Sequence, residues 1–414
     1  MSISRLMKIV FVNRFYAPDH SATSQMLTDL ASALASGDAQ VEVVTSRLRY
    51  DDASASLPGR QTIGGVDVHR VWTSRFGRGN LIGRAFDYLS FYVFATAKLS
   101  ALARSGDVIV AKTDPPLISV VAAWVARKRG ARLVNWLQDL FPEVASNLGV
   151  IDPRGAMARW LRRLRDRSLT GAAANVVLGE AMRKRVEALG VDPGRIAVIP
   201  NWASGDRLRP GSREANPLRA EWSLGDRFIV GYSGNLGRVH EFATLLDAAT
   251  ELRAQTGIAF LLIGGGAQKA DVERVAAERK LANVVFRPYQ PRDRLHHTLG
   301  VADVHVVALR PELEGLVVPS KFYGVAAVGR PTIFIGDPDG EIGSVVRAAQ
   351  CGTCVQAGDA AALVRAIIEL RDDVALRERA GANARAVFEE RYDMPIAVLQ
   401  WRRLLGDVAR ARPR

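Results

Sequence analysis

Cysteine is almost absent: the 414 residues contain two, Cys351 and Cys354. That excludes a disulfide framework and suits a reducing cytoplasm. Their C-G-T-C spacing resembles a redox or zinc pair, but no second ligand pair exists and no histidine cluster lies nearby, so the pair carries no assigned chemistry. Long apolar runs are lacking too. Nothing approaches the uncharged span of about 20 residues that crosses a bilayer. The nearest stretch, Phe86 to Ala103, contains Asp87 and Lys98. Near the N-terminus the run Ile9-Val10-Phe11-Val12 stops at Asn13-Arg14, too short for the core of a signal peptide, and reads as a first buried strand. The expectation is a cytoplasmic chain that can touch the inner face of the membrane. Acidic residues are in deficit: 43 Asp and Glu against 56 Lys and Arg leave +13. Such an excess favours anionic partners, namely phosphorylated substrates, nucleic acid or a lipid surface. No recognisable nucleic-acid module is present, which sets that partner aside.

What is present is alternation. The length and the 48% hydrophobic content fit two or three domains of roughly 100–200 residues each. Short apolar runs alternate with helical patterns, as in βαβ units around parallel sheets. In the first half the strands read KIVFVN, VEVVTS, VDVHRVW, DVIVAK, RLVNWL and AANVVLG, with a first crossover helix over Ser24–Ser36. The stretch from Ile199 to Pro217 is rich in Pro, Gly, Ser and Asn and reads as the linker. Alternation then restarts with FIVGYSG, AFLLIGGG, NVVFRPY, VHVVAL and PTIFIG. The expected organisation is α/β: two Rossmann-like doubly wound domains, 1–205 and 206–395, facing across a cleft. A helical tail, 396–414, can pack back on the first domain. Ligands of such sheets lie outside the carboxyl ends of the strands.

Three motifs point to anion chemistry. Y-S-G-N-L-G-R, Tyr232 to Arg238, follows a strand and precedes a helical pattern. Gly234 and Gly237 let the backbone approach a ligand, Asn235 lies between them, and the helix start beyond favours a phosphate. Arg238 adds a bidentate charge. A second turn, Gly264-Gly265-Gly266, follows the next strand. The third motif runs from Glu314 to Pro331, where a helix begins near Pro319-Ser320 with Ser320 as its cap. Lys321 then falls in the first turn, an unfavourable place for a cation unless an anion is bound there. The fingerprint G-x-G-x-x-G is missing at the first strand, which argues against a nicotinamide dehydrogenase, and no P-loop occurs.

Together these pieces, with YAPDHSATSQ, QDLFPE, IPNW and LIGGG, resemble the family-4 glycosyltransferases of the GT-B fold, in particular the bacterial colanic-acid, O-antigen and N-acetyl-fucosamine transferase-like branch. The resemblance runs from near the N-terminus to about residue 345. It implies that Glu314 contacts the donor sugar. The family's second Glu, which contacts the ribose, has no counterpart: Phe322 or Gly324 stands there, and Glu341 in D-G-E-I-G is the candidate substitute. A family His-Asp pair is Gln138-Asp139 here, leaving Asp139 as the polar group for the reacting centre or as a plain loop carboxylate. No second basic residue follows Arg238, so Lys321 supplies the second phosphate charge. By the same resemblance the first loop holds His20, Ser21 and Thr23: its small hydroxyls let the diphosphate or the acceptor approach closely, and His20 is either an acceptor contact or a solvated loop residue.

The implied function is retaining transfer of a sugar from a UDP- or GDP-sugar to a polyprenyl-diphosphate-linked saccharide. It needs no cofactor and no metal, since no D-x-D signature is suitably placed. A nucleotide-sugar epimerase or hydrolase of the same fold, or a sugar-nucleotide-binding protein without turnover, stays open. Two segments bear on an anionic membrane surface. Arg154–Arg167 holds six arginines among Trp160, Leu161 and Leu164, and the aromatic run around Phe91 lies in Phe86–Ala103. Either they meet lipid, or the first is a core-facing helix with a solvated arginine face.

Overall fold

The computed structural model describes residues 7–411 apart from 20, 38, 50, 51, 53, 55 and 78–80. It divides into two compact units, Met1–Pro200 with Ala397–Arg414, and Asn201–Ile396. Both are parallel α/β units. His20, an expected acceptor contact, lies outside the described residues.

In the first unit the strands are β1 (Met7–Val12), β2 (Ala39–Ser46), β3 (Arg60–Ile63), β4 (Val66–Val71), β5 (Val108–Lys112), β6 (Arg132–Trp136), β7 (Ala174–Val177) and β8 (Ile196–Val198). They lie in the order β3-β4-β2-β1-β5-β6-β7-β8. The pairing β3–β4 is antiparallel and the others are parallel. The hairpin turns at Gly64 and Gly65, whose φ of +56° and +78° suit a type I′ turn that side chains resist. Strand order reverses between β1 and β5, so the loops leaving these strands part there and open a crevice. Ile9–Val12 are wholly buried because helices cover both faces of a parallel sheet, which is why the strand reads as one apolar run.

The second unit holds β9 (Phe228–Ser233), β10 (Ile258–Ile263), β11 (Val284–Arg287), β12 (Val304–Ala308), β13 (Thr332–Ile335) and β14 (Gly352–Val355). The order is β11-β10-β9-β12-β13-β14, with the reversal between β9 and β12. Phe228, Val230, Tyr232, Phe260, Leu262 and Val306 form its core with Leu245 and Ile367.

Three strands were not expected from sequence: β3, β8 and β14. Each is a short edge strand: β3 and β14 carry no apolar run, and β8 is only three residues long. β14 contains Cys354, and Cys351 precedes it. Burial pushes the Cys351 thiol up to about 12 and the Cys354 thiol up to about 11, so neither is a ready thiolate.

The two segments read as membrane elements need correction in detail. Phe91 is wholly buried and packs with Ala95 and Leu99 in the first core. The opposite face of the helix Leu81–Leu102 carries Ile82, Phe86, Leu89 and Val93, which are 54–72% exposed. In the helix Ala156–Gly171, Arg165 is buried rather than solvated. Its guanidinium grips Glu143 at both ends, at 2.8 and 2.9 Å, and also donates to the Phe141 carbonyl. Arg159, Arg163 and Arg167 stay exposed, beside exposed Met157 and Trp160. Among the described residues, no helix is long and apolar enough to cross a membrane.

The helix Met394–Arg410 brings the chain back to the first unit. Trp401, wholly buried, meets the Trp136 ring edge-on with centroids 4.8 Å apart, and Arg402 donates to the Ala33 carbonyl. Trp401→Ala is expected to cost about 3–5 kcal/mol. The loss is read from the urea midpoint followed by circular dichroism, and a midpoint unchanged from the parent would contradict it.

Candidate functional site

The loop leaving β9 at the reversal point is built from glycine for a visible reason. Gly264, at φ +137°, has the Gly234 carbonyl where its side chain would be, and Gly266, at φ +141°, has the Asn235 side chain and Leu236 carbonyl there. A Cβ at either position would drive the two turns apart. Backbone bonds lock the approach: Gly234 N–H donates to Ile263 at 2.8 Å and Leu236 N–H to Gly265 at 2.7 Å. The Gln268 amide spans the loop, donating to the Gly237 and His240 carbonyls at 2.6 and 3.0 Å. Tyr289 lies against Gly264 and Gly265 and donates its hydroxyl to the Gly265 carbonyl at 3.2 Å. At the loop's start the Ser233 hydroxyl is buried without a partner.

Lys321 opens the helix Lys321–Ala327, as the sequence implies. Ser320 occupies the cap position, but its side chain accepts no capping hydrogen bond. Pro319 before it is buried. The Lys321 stem passes 3.0 Å from the place a Gly234 side chain would take. The ammonium ends 2.7 Å from His240 Nε2 and 5.1 Å from the centre of the Tyr232 ring. Burial pushes its pKa down to about 7. Arg238 is exposed in the turn after Gly237. The structure thus brings Lys321 to the loop Gly234–His240 that also carries Arg238, although 83 residues separate the two in sequence.

Glu314 and Glu341 are brought together. The Glu341 backbone N–H donates to Glu314 Oε1 at 2.9 Å, so the carboxylate sits on the first turn of the helix Glu341–Ala348. Gly340 leaves room for it, since a Cβ there would collide with the Glu314 carboxyl. Phe322 and Gly324 do not serve as ribose contacts. Phe322 is wholly buried against Tyr323 and Tyr392, and Gly324 faces Leu299 and Leu208.

In the first unit the polar groups gather where β1, β5 and β6 end. Arg14, just past β1, takes its backbone N–H to the Asp114 carbonyl at 2.7 Å. Asp139 follows β6, and its Oδ1 is buried without a hydrogen bond. Burial, and then the neighbouring Asp114 carboxylate, push Asp139 up to about 6 against a hydrogen bond from Thr113. Ser21 caps the helix Ala22–Ala35 by position only, its buried hydroxyl unpartnered, and Thr23 is half-buried in the first turn.

Sequence reasoning missed two residues. His240, two residues after Arg238, has no role in the reading that no second basic residue follows that arginine. Lys112 was read as the end of a strand, yet its ammonium is wholly buried 3.5 Å from the centre of the Trp136 ring, with no hydrogen-bond partner. A lysine closing an otherwise apolar strand was the available signal.

Asp139 generates a stability prediction. Its folded pKa, about 6, lies above the 3.8 of an ordinary aspartate, so the folded state prefers the protonated form. Stability from this group is therefore greatest below pH 4 and is lost as pH rises through 6. Asp139→Asn should stabilise the protein at pH 8 by about 1–3 kcal/mol and leave it nearly unchanged at pH 4. Urea melts at the two pH values check this, and an equal effect at both would contradict it.

Comparison with known proteins agrees with this architecture. A glycosyl transferase 4-like domain matches residues 21–202 and a glycosyl transferases group 1 domain matches residues 216–387. WbjE of Pseudomonas aeruginosa, named as a glycosyltransferase, is 28% identical over 307 residues, covering 74% of this chain and 76% of WbjE. WcaI of Escherichia coli K12, named for colanic acid biosynthesis, is 26% identical over 87% of this chain and 91% of its own. The Anabaena protein HepE, solved with UDP and glucose, superposes with a TM-score of 0.74 at 16% identity, covering 97% of this chain and all of HepE. With both halves matched by such domains, the chain belongs to the glycosyltransferases of the GT-B fold, a 4-like domain followed by a group 1 domain.

Proposed function

We propose that the protein transfers a sugar from a UDP- or GDP-sugar to a polyprenyl-diphosphate-linked saccharide, with retention at the anomeric carbon and without a divalent metal, in exopolysaccharide or O-antigen synthesis. The observation that carries this reading is the Lys321 ammonium, delivered to the glycine loop at the reversal point of the second sheet. HepE, of the same fold, was solved with UDP and glucose, and WcaI is named for colanic acid synthesis, which supports the donor class and the pathway class.

As the bond from sugar to diphosphate breaks, negative charge grows on the leaving oxygen. Arg238 offers a bidentate guanidinium and Lys321 a point charge, the latter set in place before the reaction. The loop Gly234–Gly237 and the turn at Gly264 and Gly265 let backbone approach the nucleotide, with Pro319 and Ser320 bordering Lys321. Glu314, oriented by the Glu341 N–H, meets the sugar hydroxyls, and Glu341 substitutes at the ribose. In the first unit Asp139 is the polar group assigned to the reacting centre, and Ser21 and Thr23, with His20, are assigned to the acceptor.

A lipid-linked acceptor calls for a membrane surface. The exposed stripe Ile82, Phe86, Leu89 and Val93 belongs to one helix and Met157 with Trp160 to another. Between them packs the helix Ile118–Arg129, whose Trp124 is also exposed. Arg159, Arg163 and Arg167 supply charge for anionic headgroups, about 1 kcal/mol each near the surface.

Four measurements test the reading. Arg238→Ala and Lys321→Ala should each weaken nucleotide-sugar binding by about 1.5–3 kcal/mol, and unchanged affinity in both removes the assignment. A chelator should leave the transfer rate unaffected, and the product should keep the donor's anomeric configuration; collapse with EDTA or an inverted anomer refutes the corresponding part. Replacing Arg159, Arg163 and Arg167 by Gln should release the protein from anionic vesicles while sparing donor binding. Sedimentation equal to that of the parent would leave those arginines as a solvated face.

A further inference from the structure

We propose that His240 is the positioning residue of the donor site: its neutral imidazole holds the Lys321 ammonium on the glycine loop and aims that charge at the diphosphate without cancelling it. This rests on the reading that Lys321 binds the diphosphate.

The tautomer follows from the partners. His240 Nδ1 lies 2.7 Å from the Ala308 carbonyl, which can only accept, so Nδ1 carries the proton. Nε2 is left with its lone pair, and the Lys321 Nζ at 2.7 Å donates to it. Both ring nitrogens are thus satisfied in one orientation. The ring is fixed further by the edge-on rings of Tyr232 and Phe242, at 6.1 and 6.5 Å between centroids. Its own carbonyl receives the Gln268 amide at 3.0 Å. Since Ala308 ends β12 and His240 closes the loop from β9, the imidazole bridges the two strands between which the sheet order reverses.

The chemistry of the acceptor matters. A carboxylate in this place would orient Lys321 equally well, but it would neutralise the ammonium and repel a phosphate. An imidazole that became charged would repel the ammonium itself. Burial, and then the Lys321 charge, hold His240 down at about 3, so it stays neutral throughout the working range. The Lys321 ammonium donates to His240 Nε2 and not to a carboxylate, and burial alone sets its pKa. The groups facing it are His240 and Tyr232, and the Tyr232 hydroxyl is held neutral by burial while donating to the Asn235 carbonyl at 2.9 Å. Lys321 itself is held down to about 7, so in the empty site it loses its proton as pH rises through neutrality. Diphosphate affinity should therefore fall above pH 7.

The competing explanation is that His240 merely satisfies the Ala308 carbonyl inside the core. Calorimetric titration with UDP, GDP and inorganic pyrophosphate separates the two. His240→Phe, which keeps an aromatic ring and removes the lone pair, should weaken diphosphate binding about 10-fold. His240→Asn, which retains an acceptor, should lose no more than about 3-fold. His240→Glu should bind more weakly than the phenylalanine variant at pH 6.5, and its fall in affinity should move to higher pH, because a carboxylate keeps the proton on Lys321. In a Lys321→Ala background His240→Phe should add nothing further. Thermal melts confirm that each variant is folded. Parent-like affinity in folded His240→Phe, or the same fold-loss with and without Lys321, overturns the inference. Parent-like affinity in Lys321→Ala overturns the placing of Lys321 on the diphosphate first, and this inference with it.

Discussion

The second unit is organised around a backbone contact. The Gly234 carbonyl occupies the volume that any side chain at 264 would need, and the two turns at the ends of β9 and β10 are thereby fused into one shelf. The cationic groups of that unit's site are placed relative to it. The Lys321 stem runs along Gly234, His240 closes the loop, Arg238 projects from it, and Gln268 ties its two ends. A shelf of backbone and buried rings does not reorganise when a ligand arrives, and that is the property electrostatic stabilisation requires.

Charge in this protein is buried in two distinct ways. Glu42 is held by Lys8 at 2.8 Å and His69 at 3.2 Å, which take it down to about 2 despite its burial. Asp303 is likewise held by Arg213 and Arg219, and Glu143 by Arg165. These pairs make good the desolvation cost of several kcal/mol per ion, and they explain structure rather than chemistry. Lys112, Lys321 and Asp139 are different, because none has an opposite charge as its hydrogen-bond partner. Each lies where strands end at the carboxyl edge of a sheet, and each has its pKa displaced by burial. Unpaired burial at that edge is a cost the fold does not need for its own stability. Lys112 receives only the face of Trp136, a cation–π contact that softens the cost without removing it.

The central strands were legible because parallel sheets covered on both faces leave continuous apolar runs, and Ile9–Val12 or Phe260–Ile263 can hardly be anything else. Edge strands β3, β8 and β14 were not: β3 and β14 carry few apolar residues, and β8 is only three residues long. The glycine loop was legible from Gly234 and Gly237, although the reason for Gly264 and Gly266 appears only when the two turns meet. Ser320 was legible as a boundary but not as a side chain that caps nothing. His240 could not be found from its neighbours: its role depends on the Ala308 carbonyl and on Lys321, 68 and 81 residues away. A neutral histidine leaves no charge pattern to read.

The helices show the same limit from the other side. Counting six arginines in Arg154–Arg167 treats them as equivalent, whereas folding spends Arg165 on Glu143 and turns Arg163 and Arg167 outward. Counting aromatics around Phe91 has the opposite fault, because Phe91 itself serves the core. What counts is which face each residue takes: Ile82, Phe86, Leu89 and Val93 succeed one another at four, three and four residues, the spacing of a single helical stripe. Core packing does not account for that stripe, since Phe91, Ala95 and Leu99 already supply the buried face of the same helix. A second apolar stripe on a helix that needs one is the signature of a surface covered in use. On the proposed reading lipid covers it, with the exposed Arg159, Arg163 and Arg167 holding the headgroups.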